Sequence, residues 1–244
     1  MWKFIHKFGS PQYFYDFTGK LLPWLGLVTL FLFIYGLIGG LWLAPADFQQ
    51  GNGFRIIYVH VPAAILSLGV YSFMTVVAII GFIWKIKLSD VMLKVAAPLG
   101  AWFTFLALVT GSIWGKPMWG TYWVWDARLT SELILLFIYL GIMALRSAID
   151  DKNNAAKACG ILTIVGFINI PIIHYSVYWW NTLHQGDTLK VFGKSTIAPS
   201  MAHPLIAMIF AYLFFFGLIL LLRARSEILL REKRSHWVKE LISL

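Results

Sequence analysis

The sequence predicts an all-α, polytopic membrane protein with six transmembrane helices and a tryptophan-rich surface segment on the side away from the cytoplasm. Three observations predict it. Apolar residues make up 59% of the 244-residue chain and charged residues only 13%, too few to clothe a soluble domain of this size. The apolar residues gather into long uncharged runs, each near the roughly 20 residues that cross the hydrocarbon core. Lysine and arginine fall unevenly on the loops between those runs.

The first run, 21–43, is free of charge. The second, 56–84, is uncharged and longer than a span needs, so one end emerges into the interface; His60 and Pro62 mark that end. The third covers 95–115. The fourth, 129–145, is short and holds Glu132 near its start. The fifth covers 158–180 and the sixth 204–222, followed by a basic tail, 223–244. No internal repeat or low-complexity linker divides the chain, so 1–244 reads as one integral membrane domain.

Six spans place both termini on one side. Fifteen of the 20 lysines and arginines lie on the termini and the connections that share their side. The positive-inside rule then puts both termini in the cytoplasm. The outer loops are 44–54, 116–128 and 181–203. The same bias accounts for the net charge of +9 without nucleic acid as a partner. The tail from Arg223 onward is basic and amphipathic, suited to anionic lipid or a partner.

Some chemistry is excluded. The single cysteine, Cys159, rules out a disulfide framework, a redox thiol pair and a C-x-x-C-H haem attachment site. No glycine-rich phosphate loop is present, so ATP hydrolysis, where it drives a step, belongs to another chain. Met1–Lys20 is mixed polar and aromatic and does not read as a removable signal peptide.

Four of six histidines fall at or near the outer face: His60, His174, His184 and His203. His6 and His236 lie on the other side. A histidine in an apolar span is costly unless it faces a cavity, a partner or a ligand. His60 is the strongest case, because Pro62 removes a backbone donor beside it. Its alternative reading is an interfacial histidine bonded to a backbone carbonyl, and the same alternative holds for His174 and His203.

The stretch from Trp114 to Arg128 holds Trp114, Trp119, Tyr122, Trp123 and Trp125, with Asp126 at its end. If helical, Trp119, Trp123 and Asp126 share one face. An aromatic belt at the headgroups explains one or two tryptophans. Four, interleaved with glycine, aspartate and arginine, point to a ligand platform. Arg55, Lys116 and Arg128 are cations on a side with few, and so need a partner: either the acids Asp47, Asp126 and Glu132 or an anionic ligand. Imidazoles, indole walls and fixed cations together suit a flat, aromatic, doubly anionic metal complex. Haem fits that description, as do other ligands.

The run Trp119-Gly120-Thr121-Tyr122-Trp123-Val124-Trp125-Asp126 resembles the tryptophan-rich "WWD" signature of a haem-handling protein family. The flanks Gly111–Met118 and Ala127–Leu133 fit it. So do Tyr58–Ala64, Asn169–Ser176 and Asn181–Gly186. The likeness covers almost the whole chain and is nearest to the short, six-span branch that serves cytochrome c maturation. The resemblance implies a bacterial inner-membrane protein with a periplasmic haem site. His60 and His184 would be the axial ligands of haem iron. Trp114, Trp119, Tyr122, Trp123, Trp125 and Asp126 would form the platform, and Arg55, Lys116 and Arg128 would meet propionates or pair with loops. The cargo would be haem b, held non-covalently, and the protein a carrier without enzymatic turnover. The implied partners are a periplasmic haem chaperone, the ATPase and membrane subunit of an ABC transporter, a small single-span accessory protein and the lipid bilayer. Segment 187–199 matches nothing in the family pattern.

Three rival readings stand beside this one. A transmembrane b-type cytochrome pairs its histidines deep in the spans, whereas these candidates sit at one face. A transporter permease subunit calls for polar or broken spans near the midplane, hinted at by Asn169 and Pro171. A metal-dependent membrane hydrolase would draw on His60, His174, His184 and His203, but no tight His/Glu motif is present.

Overall fold

The structure is a computed structural model of the chain, and it describes residues 9–180, 182–184 and 197–243. Residues Asn181, Gln185 and Gly186 of the motif, Lys190, Lys194, His6 and most of 187–199 lie outside the described residues.

The described residues are helical, with no strand among them. Helix α1 spans Pro11–Leu37 and passes into a π-helical turn, Ile38–Leu43. A short 3-10 turn, Asn52–Ile56, leads into α2, Ile57–Trp84. Helix α3 covers Lys87–Trp119 and α4 Ala127–Ala148. Helices α5, Lys152–Gly166, and α6, Asn169–Trp179, lie almost end to end. Helix α7 covers Pro199–Arg231 and α8 His236–Ile242. Six of these segments, with α5 and α6 taken together, are long and apolar enough to cross a membrane.

Several helices outrun the apolar stretches that mark them. Hydropathy reports the thickness of the bilayer, not where a helix stops, and α1, α3 and α7 each continue by a turn or more. The fifth span is broken at Phe167 and Ile168. There Asn169 donates from Nδ2 to the Ser131 carbonyl at 2.8 Å, pinning the break to α4.

The most extensive packing joins α2 to α3 and α1 to α7. Tyr139 of α4 is fully buried and donates to the Ser67 carbonyl of α2 at 2.8 Å. At the end where the chain termini lie, Asp90 accepts from Arg146 and Arg231, and Glu227 accepts from Arg231 and Lys94. This network ties α3, α4 and α7 together. The basic tail is therefore partly built into the bundle. Arg225 donates to the Tyr15 carbonyl and lies over the Tyr15 ring, and Trp237 of α8 packs tilted against the same ring at a 5.6 Å separation. At the opposite end, the loops after the first and third spans and the hook 182–184 gather around the start of α2.

Candidate functional site

His60 lies in the first turns of α2, and its ring is held from one side. Nδ1 is 3.1 Å from the Ala107 carbonyl and 3.0 Å from the Thr110 hydroxyl, both on α3. A carbonyl can only accept, and Thr110 already donates to the Leu106 carbonyl at 2.6 Å. The proton therefore sits on Nδ1. Nε2 keeps its lone pair, the arrangement a metal-binding imidazole requires. Gly111 makes the close approach to α3 possible: a Cβ there would stand 3.0 Å from Cε1 of His60. Trp114, one turn further, meets the His60 ring edge-on at 5.7 Å, and its Nε1 donates to Gln50 of the first outer loop at 2.9 Å.

His184 comes from the hook after α6 and is held by different means. Asp126 begins α4 as its N-cap, accepting through Oδ1 from the Leu129 amide at 2.8 Å. Its other oxygen accepts from the Thr182 hydroxyl, and Thr182 in turn accepts from the His184 amide at 3.1 Å. Nδ1 of His184 stands 3.8 Å from Asp126 Oδ2, beyond hydrogen-bond reach, and has no hydrogen-bond partner among the described residues. Burial first, then the Arg128 guanidinium, lowers the His184 pKa from 6.5 to about 4, against the opposing pull of Asp126. The imidazole is thus neutral at neutral pH, and the Asp126 contact is polar and not an ion pair. Trp119 packs against the ring at 4.9 Å.

The two imidazoles, one from α2 and one from the hook, line a single small cavity of about 50 Å³, part of it open to the outside. Arg128, Glu132 and Ile173 line it too, with a floor of Ala64, Leu68 and Leu108. Glu132 is only 9% exposed, and its Oε1 has no partner among the described residues. A second, wider groove opens sideways between α3 and α4. Trp123 and Trp125 stand at its rim, crossed edge-to-face at 5.4 Å, and Leu108 and Ser112 belong to both hollows.

The tryptophan-rich segment is not helical throughout, so the expected shared face of Trp119, Trp123 and Asp126 does not form. Gly120 takes a left-handed conformation at φ 77° and caps α3, donating to the Lys116 carbonyl at 3.0 Å. Residues 121–126 then run as an irregular strap. The tryptophans divide their work: Trp114 and Trp119 brace the histidines, while Trp123 and Trp125 wall the groove. Tyr122 is exposed beneath the Lys116 ammonium, 5.3 Å from its ring centre.

The cations separate as well. Arg55 donates to the carbonyls of Gly40 and Ala44, each at 2.7 Å, closing the end of the first span where the π-turn leaves acceptors open. Lys116 donates to the Gly120 carbonyl at 2.9 Å. Asp47 turns inward to the amides of Gln49 and Gln50. The acids Asp47 and Asp126 therefore satisfy backbone and hydroxyl groups, not the cations. Arg128 faces the cavity. His174 and His203 are exposed and stand outside it. Among the described residues no three His, Cys, Asp or Glu side chains are grouped to hold a bare metal ion. Thr182 and Gln50 escaped the sequence reading; a threonine two residues before a histidine is too common a pattern to signal a tether.

Residues 4–239 match the family model described as Heme exporter protein C. The chain is 53% identical over 242 residues to Heme exporter protein C of Escherichia coli strain K12, covering 99% of this chain and 98% of the relative. It is 49% identical over 226 residues to Heme exporter protein C of Bradyrhizobium diazoefficiens, covering 93% and 86%. A Putative cytochrome c biosynthesis ccmC-like mitochondrial protein of Marchantia polymorpha is 49% identical over 189 residues, covering 78% and 80%.

Proposed function

The chain belongs to the Heme exporter protein C family, and we propose that it holds haem b non-covalently at its periplasmic mouth and presents it to a periplasmic haem chaperone. It is a multi-pass membrane protein of haem handling for cytochrome c maturation. In this reading haem is cargo. His60 and His184 supply the axial nitrogens, one from each side of the iron.

One observation carries the proposal. Two histidines from distant segments line one cavity, and each directs Nδ1 toward the protein, at Ala107 and Asp126 respectively. That leaves both Nε2 atoms for a metal. The fit extends to the rest of the ligand: the porphyrin's apolar body suits the groove of Trp123 and Trp125, and Arg128 offers a charge for a propionate. Two nitrogen ligands hold the iron without leaving a position open to oxygen, which suits transfer and not turnover.

Delivery follows from how unequally the ligands are held. His60 stands on α2 and is fixed by two contacts to α3. His184 rides on a short hook tethered through Thr182 and Asp126, so it is the ligand a chaperone displaces. The energy for releasing the loaded chaperone comes from another chain, an ABC transporter ATPase with its membrane subunit, assisted by a small single-span protein. The charge bias of the loops supports a periplasmic mouth and cytoplasmic termini.

The test is the haem content and Soret spectrum of the purified protein and of His60→Ala and His184→Ala. Each variant is expected to lose most bound haem or its bis-imidazole spectrum, and to lose chaperone capture with it. Full occupancy with an unchanged spectrum in either variant would overturn the assignment.

A further inference from the structure

We propose that the outer half of the fifth span, around His174, docks a transmembrane helix of another chain that offers a hydrogen-bonding side chain at the same depth. The proposal deepens the membrane partnership proposed above and rests on it only for who the partner is.

His174 lies on α6 and is exposed. About 20 residues cross the hydrocarbon core. Counted from Ala158, just past Lys157, they reach residue 177, which leaves His174 about one turn inside the outer boundary. Tyr178, Trp179 and Trp180 then fall at headgroup level, where such rings are favoured. Along the six apolar runs, every other exposed side chain among the described residues is aliphatic, proline, phenylalanine, tyrosine or tryptophan. His174 is the exception. His203 is exposed too, but it precedes the sixth run, where water reaches it.

Lipid tails offer nothing to a ring nitrogen. An imidazole at that depth is costly unless it meets a cavity, a ligand or a partner. The haem cavity is lined by Ile173, the preceding residue, and His174 stands outside it. Among the described residues its contact is the Tyr175 ring, met edge-on at 4.7 Å. A neighbouring chain is what remains. A neutral imidazole carries one donor and one acceptor, so the partner supplies a hydroxyl, amide or carboxyl group.

The surface around it suits a helix. Ile161, Val165, Ile168, Tyr175 and Trp179 are exposed at helical steps on both sides of the break, a stripe one helix wide that follows the span. Tyr175 and Trp179 stack at 5.3 Å and 24°. The ledge is therefore ordered before a partner arrives and loses little freedom on binding.

The experiment puts a photoreactive benzoylphenylalanine in place of Tyr178, one turn from His174, in the full chain. The chain is co-expressed with the transporter membrane subunit and the single-span protein. Irradiated membranes are expected to give an adduct within a transmembrane segment of one of those two chains, located by peptide mass spectrometry. His174→Leu should cut the adduct yield about five- to tenfold, the scale of one interhelical hydrogen bond. His174→Gln, which still donates and accepts, should keep most of it. Co-purification with the probe-free His174→Leu chain should show the same loss. Haem content and the melting temperature of the isolated His174→Leu chain should not fall. The same probe at Phe31, similarly exposed on α1, should not respond to His174→Leu. Adducts with lipid or with this chain alone, an adduct indifferent to His174→Leu, or an equal loss in His174→Gln would overturn the proposal. A His174-dependent adduct with a transmembrane segment of some other chain would keep the docking face and sink the transporter partnership.

Discussion

At the end of the bundle that holds the termini, Asp90 is gripped by Arg146 and Arg231, and Glu227 by Arg231 and Lys94. At the other end, Trp123 Nε1, Glu132 Oε1 and His184 Nδ1 are buried without hydrogen-bond partners among the described residues, against one such atom, Arg146 Nε, within the clamp. Both ends carry polar groups that a bilayer protein can ill leave unpaired. One end closes its charges on each other and locks three helices. The other keeps its polar atoms free around a cavity and spends its hydrogen bonds one residue further out, on orienting the histidines. The first pattern is what stability requires, and the second is what a site awaiting a ligand looks like.

The comparison makes substitutions at the two ends separable. Asp90→Ala strands Arg146 and Arg231 and should cost about 3 kcal/mol of stability, the largest effect expected. Thermal or denaturant unfolding in detergent measures it, while haem content per folded protein should not change. A matching loss of haem affinity would show that the inner clamp also shapes the mouth.

Asp126→Asn is the converse. Asparagine remains a good N-cap, so the start of α4 should survive within a few tenths of a kcal/mol. The carboxylate that faces His184 and anchors Thr182 is lost. Haem affinity is expected to fall about 10- to 100-fold, as for other groups that orient a metal-binding histidine. Thr182→Val should reproduce part of that loss. Haem titration beside an unfolding curve separates the two ends; a stability loss as large as that of Asp90→Ala would mean that Asp126 is structural.

Acid sharpens the same contrast. His184 is held at about 4 by burial and Arg128, below its ordinary 6.5. Above pH 6.5 the imidazole is neutral folded or unfolded and contributes nothing to pH dependence. Between 6.5 and about 4 the unfolded chain takes up a proton that the folded chain refuses, so folding weakens as pH falls through that window. The ligand nitrogen stays free over the same range. As far as His184 governs it, haem affinity should be level from pH 8 to about 5, then fall about tenfold per unit below about 4. Stability in Arg128→Gln should be less sensitive to acid, because one of the charges lowering the His184 value is gone.

Much of this was legible in the sequence, and the limits are physical. The six spans were readable because transfer into lipid is a property of composition over a short window. His60 was readable because an imidazole in an apolar run demands a reason. The extra turns of α1, α3 and α7 were not, since hydropathy is silent on helix outside the bilayer. The helical face drawn through Trp119, Trp123 and Asp126 failed at Gly120, where a left-handed residue stops the helix before the spacing can operate. Which of its two readings Arg55 takes, ligand cation or loop partner, was not legible, because the π-turn that leaves the Gly40 and Ala44 carbonyls open has no sequence mark of its own. The Asp126–Thr182 tether joins residues 56 apart in sequence, and only the fold brings them together.

The smallest effect tests how finely the mouth is set. Gly111→Ala adds one methyl group to α3, 3.0 Å from His60 Cε1. Alanine is the better helix former by up to about 1 kcal/mol, so unfolding should be neutral or slightly improved. The methyl needs a few tenths of an ångström, and the ring cannot yield without stretching its bonds to Ala107 and Thr110. Haem affinity should therefore drop a few-fold while stability holds, a split visible in paired titration and melting curves. The bulkier Gly111→Val should widen it. Unaltered haem affinity in both variants would mean that the His60 ring has slack, and that α3 supports it without fixing it.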